Sequence, residues 1–216
     1  MAINASGVNV MTSVQVPTRR AVVAGMIGAG VSLAMPAARL GAASGPPPFG
    51  TIRHQFTLVQ GARPVPQVAI LALAGGALDL TSFKGRLVLA NFWATWCAAC
   101  RSELPMLDRL AASGRSDLAV IAVSTDRNRA LVAPYVKQLK LRHLAIGFDP
   151  GGLVSRVDAA ELDTPFALYG MPISFLIGVT GQVEGYMTGE ADWLSAEASG
   201  LFDYYAGGEL GAQQSP

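Results

Sequence analysis

The two cysteines of the 216-residue chain, Cys97 and Cys100, are separated by only two residues. A disulfide that closes so short a loop adds little stability, because the entropic benefit of a cross-link grows with loop length. Such a pair serves thiol chemistry more often than stapling. We expect Cys97 to attack the disulfide of a partner as a thiolate, and Cys100 to resolve the mixed disulfide that forms.

Two other uses of the cysteine pair are an inert disulfide and half of a zinc or copper site. Such metal sites need three or four ligands. Beyond the two thiols the chain offers the histidines His54 and His143, and neither has ligand spacing to another candidate. We therefore predict no bound metal and no cofactor.

The sequence around the cysteines predicts a strand followed directly by a helix. Residues 87–93 are apolar at nearly every position, which is typical of a strand covered on both faces. After Cys97 the leucines follow helical spacing until Gly114. The first thiol would then lie at a helix N-terminus, where unpaired N–H groups and the helix dipole lower the thiol pKa below its ordinary value of about 8.5. Ala98 and Ala99 add no charge, so the backbone must supply this effect.

The remaining pattern predicts an α/β sandwich with one mixed sheet. In front of the cysteines, Gly75 and Gly76 separate two apolar runs within residues 67–80, which is typical of a β-hairpin. Behind them strands alternate with helices before a second hairpin and a last helix. These later elements are predicted at 118–124, 131–139, 145–148, 173–179 and 182–188, with the last helix capped by Asp192 and reaching about Ala206.

Distant segments give the chain a family resemblance. Residues 91–105, Asn-Phe-Trp-Ala-Thr-Trp-Cys-Ala-Ala-Cys-Arg-Ser-Glu-Leu-Pro, resemble the active-site segment of the TlpA/ResA/CcmG thiol-disulfide oxidoreductases of the thioredoxin superfamily. The similarity continues through residues 170–177 and 189–193, and it covers about residues 64–206. The long stretch from Asp158 to Tyr169 is most similar to the TlpA branch.

This resemblance implies a thioredoxin-like three-layer sandwich, with a mixed central sheet flanked by helices and an extra N-terminal β-hairpin. It also implies that the bond between Met171 and Pro172 is cis and that Met171 lies against the thiols. An extended segment of a partner could then pair with the Met171 backbone, and an exposed Trp96 could form an apolar wall beside it. The alternative for Pro172 is an ordinary trans proline that opens a strand.

Glu103 lies one helical turn beyond Cys100, where the family pattern also places an acid. One interpretation is proton transfer to and from Cys100, which needs a carboxyl group with a raised pKa. The other is a solvated glutamate on the helix surface. Asn91 stands where thioredoxins proper carry a buried aspartate, which favours Glu103 as the proton-handling group.

The N-terminal region has the order of an export signal. The first 50 residues contain Arg19, Arg20 and Arg39 but no acidic residue, and the uncharged run 21–38 is followed by small residues. We expect residues 1–43 to be a cleaved signal or a membrane anchor that tethers the protein through residues 21–38. The folded part would lie in the periplasm in either case.

The rest of the chain divides into a Pro-rich linker at 44–63, the thioredoxin-like domain at 64–206 and a tail at 207–216. Without the three leader arginines the chain has 13 basic and 15 acidic residues. That balance excludes the strong basic field that nucleic-acid binding normally requires.

The resemblance implies an exported reductase of disulfides in partner proteins. The partners it implies are copper chaperones, copper-binding oxidase subunits or apocytochrome c, with a membrane thiol electron donor that restores the cysteines. We expect a monomer. A disulfide oxidant or isomerase of the same fold stays open, because cysteine spacing does not fix the reduction potential. A non-enzymatic copper-binding assembly module is the alternative from another class, and the missing third ligand argues against it.

Overall fold

The computed structural model describes residues 45–61, 63–65, 67, 69–156 and 166–207. The predicted export segment 1–43, with its apolar run 21–38, lies outside these residues. So do residue 157, residues 158–165 of the long stretch and residues 208–216 of the tail. Within the described part of the chain, no helix combines the length and the apolar character needed to cross a membrane.

The described elements follow the predicted order closely. Helices are α1 Ala98–Ala112, α2 Arg129–Gln138 and α3 Ala196–Ala206, with a 3-10 helix at Leu80–Phe83. Strands are β1 Thr57–Leu58, β2 Ala69–Ala72, β3 Ala77–Asp79, β4 Leu87–Trp93, β5 Leu118–Ser124, β6 Ala145–Phe148, β7 Ser155–Arg156, β8 Phe166–Ala167, β9 Ile173–Ile177 and β10 Val183–Thr188.

Eight of these strands form one sheet in the order β1-β10-β9-β4-β5-β6-β2-β3. Strands β4, β5 and β6 run parallel, whereas β9 and β10 continue the sheet in antiparallel pairing on the other side of β4. Strands β7 and β8 pair separately. The prediction of a mixed central sheet with flanking helices is confirmed.

Strand β4 lies at the centre of the sheet and is buried at every position. Its side chains alternate between two hydrophobic clusters. Leu89 belongs to the cluster that packs beneath α1, α2 and α3. Val88 belongs to the opposite cluster, which includes residues from the 3-10 helix and from 166–168. Burial on both faces explains the continuous apolar run in the sequence.

Strands β2 and β3 are antiparallel neighbours at one edge of the sheet, and Gly75 and Gly76 lie in the turn between them. The glycines have φ values of 105° and 75°, which residues with a Cβ rarely adopt. The strands are shorter than the apolar runs. The second strand stops at Asp79, whose side chain accepts a hydrogen bond from the N–H of Thr81 and caps the 3-10 helix.

The segment predicted as linker and lead-in, 44–63, packs against the domain at two aromatic residues. Phe49 is buried, and its ring lies 4.8 Å from the ring of Trp193. The ring of Phe56 lies 6.5 Å from that of Tyr205. Burial of these large aromatic side chains stabilises the packed arrangement.

The last helix does not begin with a cap at Asp192. Its N-cap is Ser195, whose Oγ accepts a hydrogen bond from the N–H of Ala198 at 3.1 Å. Asp192 instead accepts from the N–H of Leu194 in a preceding turn. Trp193 is part of this turn and is buried, and the helix begins after it at Ala196.

Candidate active site

The cysteine pair lies where strand β4 gives way to helix α1. Cys97 is the N-cap of α1, and its Sγ accepts a hydrogen bond from the backbone N–H of Cys100 at 3.1 Å. The two sulfurs form a disulfide, with the Cα atoms 5.4 Å apart. On reduction, the N–H that points at Sγ of Cys97 would favour a thiolate there.

The two cysteines differ slightly in exposure. Cys97 is 6% exposed and Cys100 is 0% exposed, and both belong to the hydrophobic cluster beneath α1. Cys97 is therefore the residue of the pair that lies nearer the surface. This difference matches the roles of an attacking and a resolving thiol.

Asp126 fixes the turn that leads into Cys97. Its carboxylate accepts hydrogen bonds from the N–H of Thr95 at 2.9 Å and from the Oγ1 of Thr95 at 2.7 Å. It also accepts from the Oγ of Ser124 at 2.8 Å. The sequence analysis missed this residue. It could have been predicted, because Thr95 and Asp126 each follow a predicted buried strand. Strands β4 and β5 are parallel neighbours, so their carboxyl ends meet at one edge of the sheet.

Glu103 is 1% exposed, so its interpretation as a solvated helix residue is wrong. Its Oε1 accepts hydrogen bonds from the indole Nε1 of Trp193 at 2.9 Å and from the N–H of Ala191 at 3.3 Å. Its Oε2 accepts from the Nδ2 of Asn91 at 2.9 Å. A carboxyl group thus lies inside the fold, one helical turn beyond Cys100.

Burial raises the pKa of Glu103 from its ordinary value of 4.5 to about 7. The three hydrogen bonds favour the charged form and oppose this rise, while the nearby carboxylate of Glu190 adds to it. The group is therefore poised to gain or lose a proton near neutral pH, which is the property that a proton carrier needs.

Asn91 connects the buried carboxyl group to strand β9. Its Nδ2 donates to Glu103 and also to the Oγ of Ser174 at 2.9 Å. Its Oδ1 has no hydrogen-bond partner among the described residues. Asn91 therefore supplies donors to Glu103 without adding a second buried negative charge.

Trp193 is the second residue that the sequence analysis missed. Its indole is 1% exposed and stacks on Phe202 while donating to Glu103. A buried indole N–H normally has an acceptor. Its place in the family-like segment 189–193 was the signal that could have identified it.

The predicted substrate-binding residues lie beside the cysteines. The peptide bond between Met171 and Pro172 is cis, as the resemblance implied. Trp96 is 72% exposed, again as predicted. Met171 borders two surface grooves, one of which is also lined by Trp96 and the other by Ala99 and Pro172.

Within the described residues, no three side chains of His, Cys, Asp or Glu converge in a way that could hold a metal ion.

Comparison with known proteins places this site in a family. Residues 62–185 match the model of the AhpC/TSA family. The chain is 30% identical over 146 residues to the thiol-disulfide oxidoreductase ResA of Bacillus thuringiensis subsp. konkukian, covering 62% of this chain and 79% of that protein. It is 35% identical over 124 residues to the thiol:disulfide interchange protein CycY of Rhizobium leguminosarum bv. viciae, covering 57% of this chain and 61% of that protein.

A solved structure of similar fold is also found. A thiol:disulfide interchange protein of the thioredoxin family from Chlorobium tepidum TLS superposes with a TM-score of 0.55 at 22% identity, over 68% of this chain and 99% of that one. The predicted thioredoxin-like sandwich is confirmed by this likeness. With its cysteine pair at the start of α1, the chain belongs to the AhpC/TSA family and, within it, to the thiol-disulfide oxidoreductases of the ResA and CcmG type.

Proposed function

We propose that this protein reduces disulfides of exported partner proteins, with Cys97 as the nucleophile and Cys100 as the resolving thiol. The observation that carries the proposal is the position of Cys97 at the N-cap of α1, where this residue is 6% exposed, while Cys100 in the first turn is 0% exposed. An attacking thiol must be reachable, and a resolving thiol must be shielded from outside disulfides while it lies next to the captured one.

The reaction balances as a dithiol exchange. The Cys97 thiolate attacks one sulfur of the partner disulfide, so a mixed disulfide forms and the other partner sulfur leaves as a thiolate. Cys100 then loses its proton and attacks Cys97, which releases the second partner thiolate. The partner gains two electrons, and the enzyme ends with the disulfide that this structure holds. A membrane thiol electron donor would return it to the dithiol.

Glu103 would take the proton from Cys100 during resolution. Its support is its position one turn beyond Cys100 in α1, its burial and its pKa of about 7. Trp193, Ala191 and Asn91 hold the carboxyl group through hydrogen bonds, so that it cannot swing away from the helix.

The partner would dock across the surface around Trp96, Met171 and Pro172. The exposed indole of Trp96 and the Met171 that borders both grooves support this assignment. By family resemblance, the partners are copper chaperones, copper-binding oxidase subunits or apocytochrome c. Residues 1–43 would export the folded domain to the periplasm or anchor it to the inner membrane.

Trapping of mixed disulfides tests the proposed roles. A Cys100→Ser variant captures its partner but cannot release it, so it should accumulate mixed disulfides that dithiothreitol reverses. The matched Cys97→Ser variant lacks the reachable thiol and should capture nothing. Equal trapping by the two variants, or full turnover by Cys97→Ser, contradicts the assignment.

The reduction potential tests the direction of transfer against the oxidant and isomerase alternatives. For a two-electron couple, about 30 mV corresponds to 1.4 kcal/mol. A value near that of thioredoxin, about −270 mV, supports a reductase. A value near that of the oxidant DsbA, about −120 mV, reverses the direction.

A further inference from the structure

The lead-in to the domain contains a hydrogen-bonded turn at residues 51–54. The N–H of Thr51 donates to the carbonyl of His54 at 2.7 Å. The Oγ1 of Thr51 accepts from the N–H groups of Arg53 and His54 at 3.3 and 3.0 Å. The turn therefore has a fixed backbone, although the side chains of Ile52, Arg53 and His54 are exposed.

The turn is also held in place against the domain. On its N-terminal side, Phe49 packs on Trp193. The ring of His54 covers Gly189, where an added Cβ would come within 2.9 Å of the ring. The N–H of Gly189 in turn donates to the carbonyl of Pro172 at 2.7 Å. The 51–54 turn is thus fixed beside the loop that carries Pro172.

This position makes the turn one wall of the groove that Ala99 and Pro172 line. Ala99 stands between the two cysteines in the sequence, so the groove reaches the segment that carries the reactive pair. Arg53 belongs to the groove wall, and the carboxylate of Glu190 on the groove accepts the hydroxyl hydrogen of Ser102.

Exposed arginines lie on the two grooves and on the first turn of α1. Arg53 lines this groove, Arg127 lines the groove beside Trp96, and Arg101 directly follows Cys100. Within the described part of the chain, the ion pairs of arginine are those of Arg115. These cations are therefore available to carboxylates of a bound partner.

We propose that the 51–54 turn is a recognition element, through which Arg53 selects partner disulfides flanked by acidic side chains. The proposal rests on the proposed function, because it names the class of segment that the same site reduces. A partner chain lying over Ala99 would bring residues adjacent to its attacked cysteine within reach of Arg53. Complementary charges raise the rate of association, and like charges suppress wrong partners.

Matched cystine peptides test this selectivity. One peptide carries Asp on both sides of a cysteine and the other carries Lys, and the second-order rate constant for reduction by the pre-reduced protein is measured for each. Each rate constant is divided by that for dithiothreitol, a small reductant that also attacks as a thiolate, to remove the intrinsic reactivity of the peptide toward a thiolate. We expect a normalised preference of about ten-fold for the Asp peptide at an ionic strength of about 0.1 M, where the Debye length is about 10 Å, and a smaller preference as added salt screens the charges.

Charge reversal at Arg53 locates the origin of the preference. Arg53→Glu should lower the Asp-to-Lys ratio at least five-fold. The matched control Arg109→Glu makes the same change in net charge at an exposed site about 16 Å along α1 from its start. Its ratio should stay within about two-fold of the parent, because exposed charges beyond a Debye length are largely screened.

The outcomes separate the two proposals. Reduction of both peptides at equal normalised rates, or equal ratios for Arg53→Glu and Arg109→Glu, overturns the acidic selectivity and leaves the reductase function standing. Failure to reduce either peptide overturns the reductase function and the selectivity with it.

Discussion

The indole Nε1 of Trp193 donates a hydrogen bond to the Oε1 of Glu103 at 2.9 Å, across 90 residues of sequence. The bond connects the turn before helix α3 to the carboxyl group that lies one turn beyond Cys100. Because it stabilises the ionised carboxylate, it limits the rise in pKa that burial causes. Trp193 is therefore a positioning residue for Glu103.

Removing this bond should raise the pKa of Glu103 above about 7. Trp193→Phe keeps an aromatic ring but has no N–H to donate. The measurement is an NMR titration of labelled glutamate side chains in the oxidised protein, with Glu103→Gln used to assign the resonance. Trp96→Phe is the control, because its indole is 72% exposed and should leave the titration unchanged. A midpoint for Trp193→Phe at or below that of the parent contradicts the assignment.

Glu103 should also make stability depend on pH. Its folded pKa of about 7 lies above the ordinary value of 4.5, so the folded state binds more protons between these values. Its contribution to the free energy of unfolding is fully present below the lower value and is lost as pH rises through the upper one. The full loss is about 3 kcal/mol at 1.36 kcal/mol per pH unit.

Urea denaturation of the oxidised protein at pH 4.5 and pH 8 measures this loss. Glu103→Gln has no charge to bury, so its free energy of unfolding should fall by about 3 kcal/mol less than that of the parent between the two pH values. Parallel pH dependences for the parent and the variant would mean that Glu103 does not titrate in this range.

Asp126→Asn should slow thiol exchange as well as lower stability. The amide keeps one oxygen acceptor, whereas the carboxylate accepts from Thr95 and Ser124 through both oxygens. We expect a loss of about 1–3 kcal/mol in the free energy of unfolding. We also expect slower reduction of a peptide disulfide, because the turn that holds Cys97 loses its anchor.

A second aspartate that accepts several hydrogen bonds provides the control for Asp126→Asn. Asp108 accepts from the N–H groups of residues 142–144 and does not contact the turn before Cys97. Asp108→Asn should lower stability by a similar amount and leave the exchange rate unchanged. Equal rates for the two variants would assign Asp126 to stability alone.

Phe49→Ala should destabilise the domain even though Phe49 precedes the first strand. Its buried ring packs on Trp193, and truncation of a buried phenylalanine costs about 3–5 kcal/mol. Ile52→Ala, three residues later at a fully exposed position, should change the free energy of unfolding by less than about 0.5 kcal/mol. An unchanged free energy of unfolding for Phe49→Ala would contradict the packing of this segment against the domain.

Short-range sequence patterns predicted the part of the site that consecutive residues form. The apolar run of β4, the helical spacing after Cys97 and the two-residue gap to Cys100 together predicted the strand, the helix and the reactive pair. The cis bond before Pro172 was predicted from the family resemblance, since the spacing of apolar residues does not indicate whether a peptide bond is cis or trans.

The rest of the site depends on contacts between distant parts of the chain. Asp126 reaches Thr95 only because two parallel strands end at the same edge. Trp193 reaches Glu103 only because the turn before α3 contacts α1, where the N–H of Trp193 also donates to the Sδ of Met106. Helical position alone left Glu103 open between a buried and a solvated role. The packing of Phe49 was not predicted, because the three prolines before it favoured a linker.

Alkylation of the reduced protein tests the central claim most directly. The rate of iodoacetamide modification is measured from pH 4 to pH 10, and each adduct is located by mass spectrometry. The account predicts that Cys97 is modified first, with a midpoint below about 8.5, while Cys100 reacts more slowly at every pH. Faster modification of Cys100, or a Cys97 midpoint at or above that value, would contradict a thiolate stabilised at the start of α1.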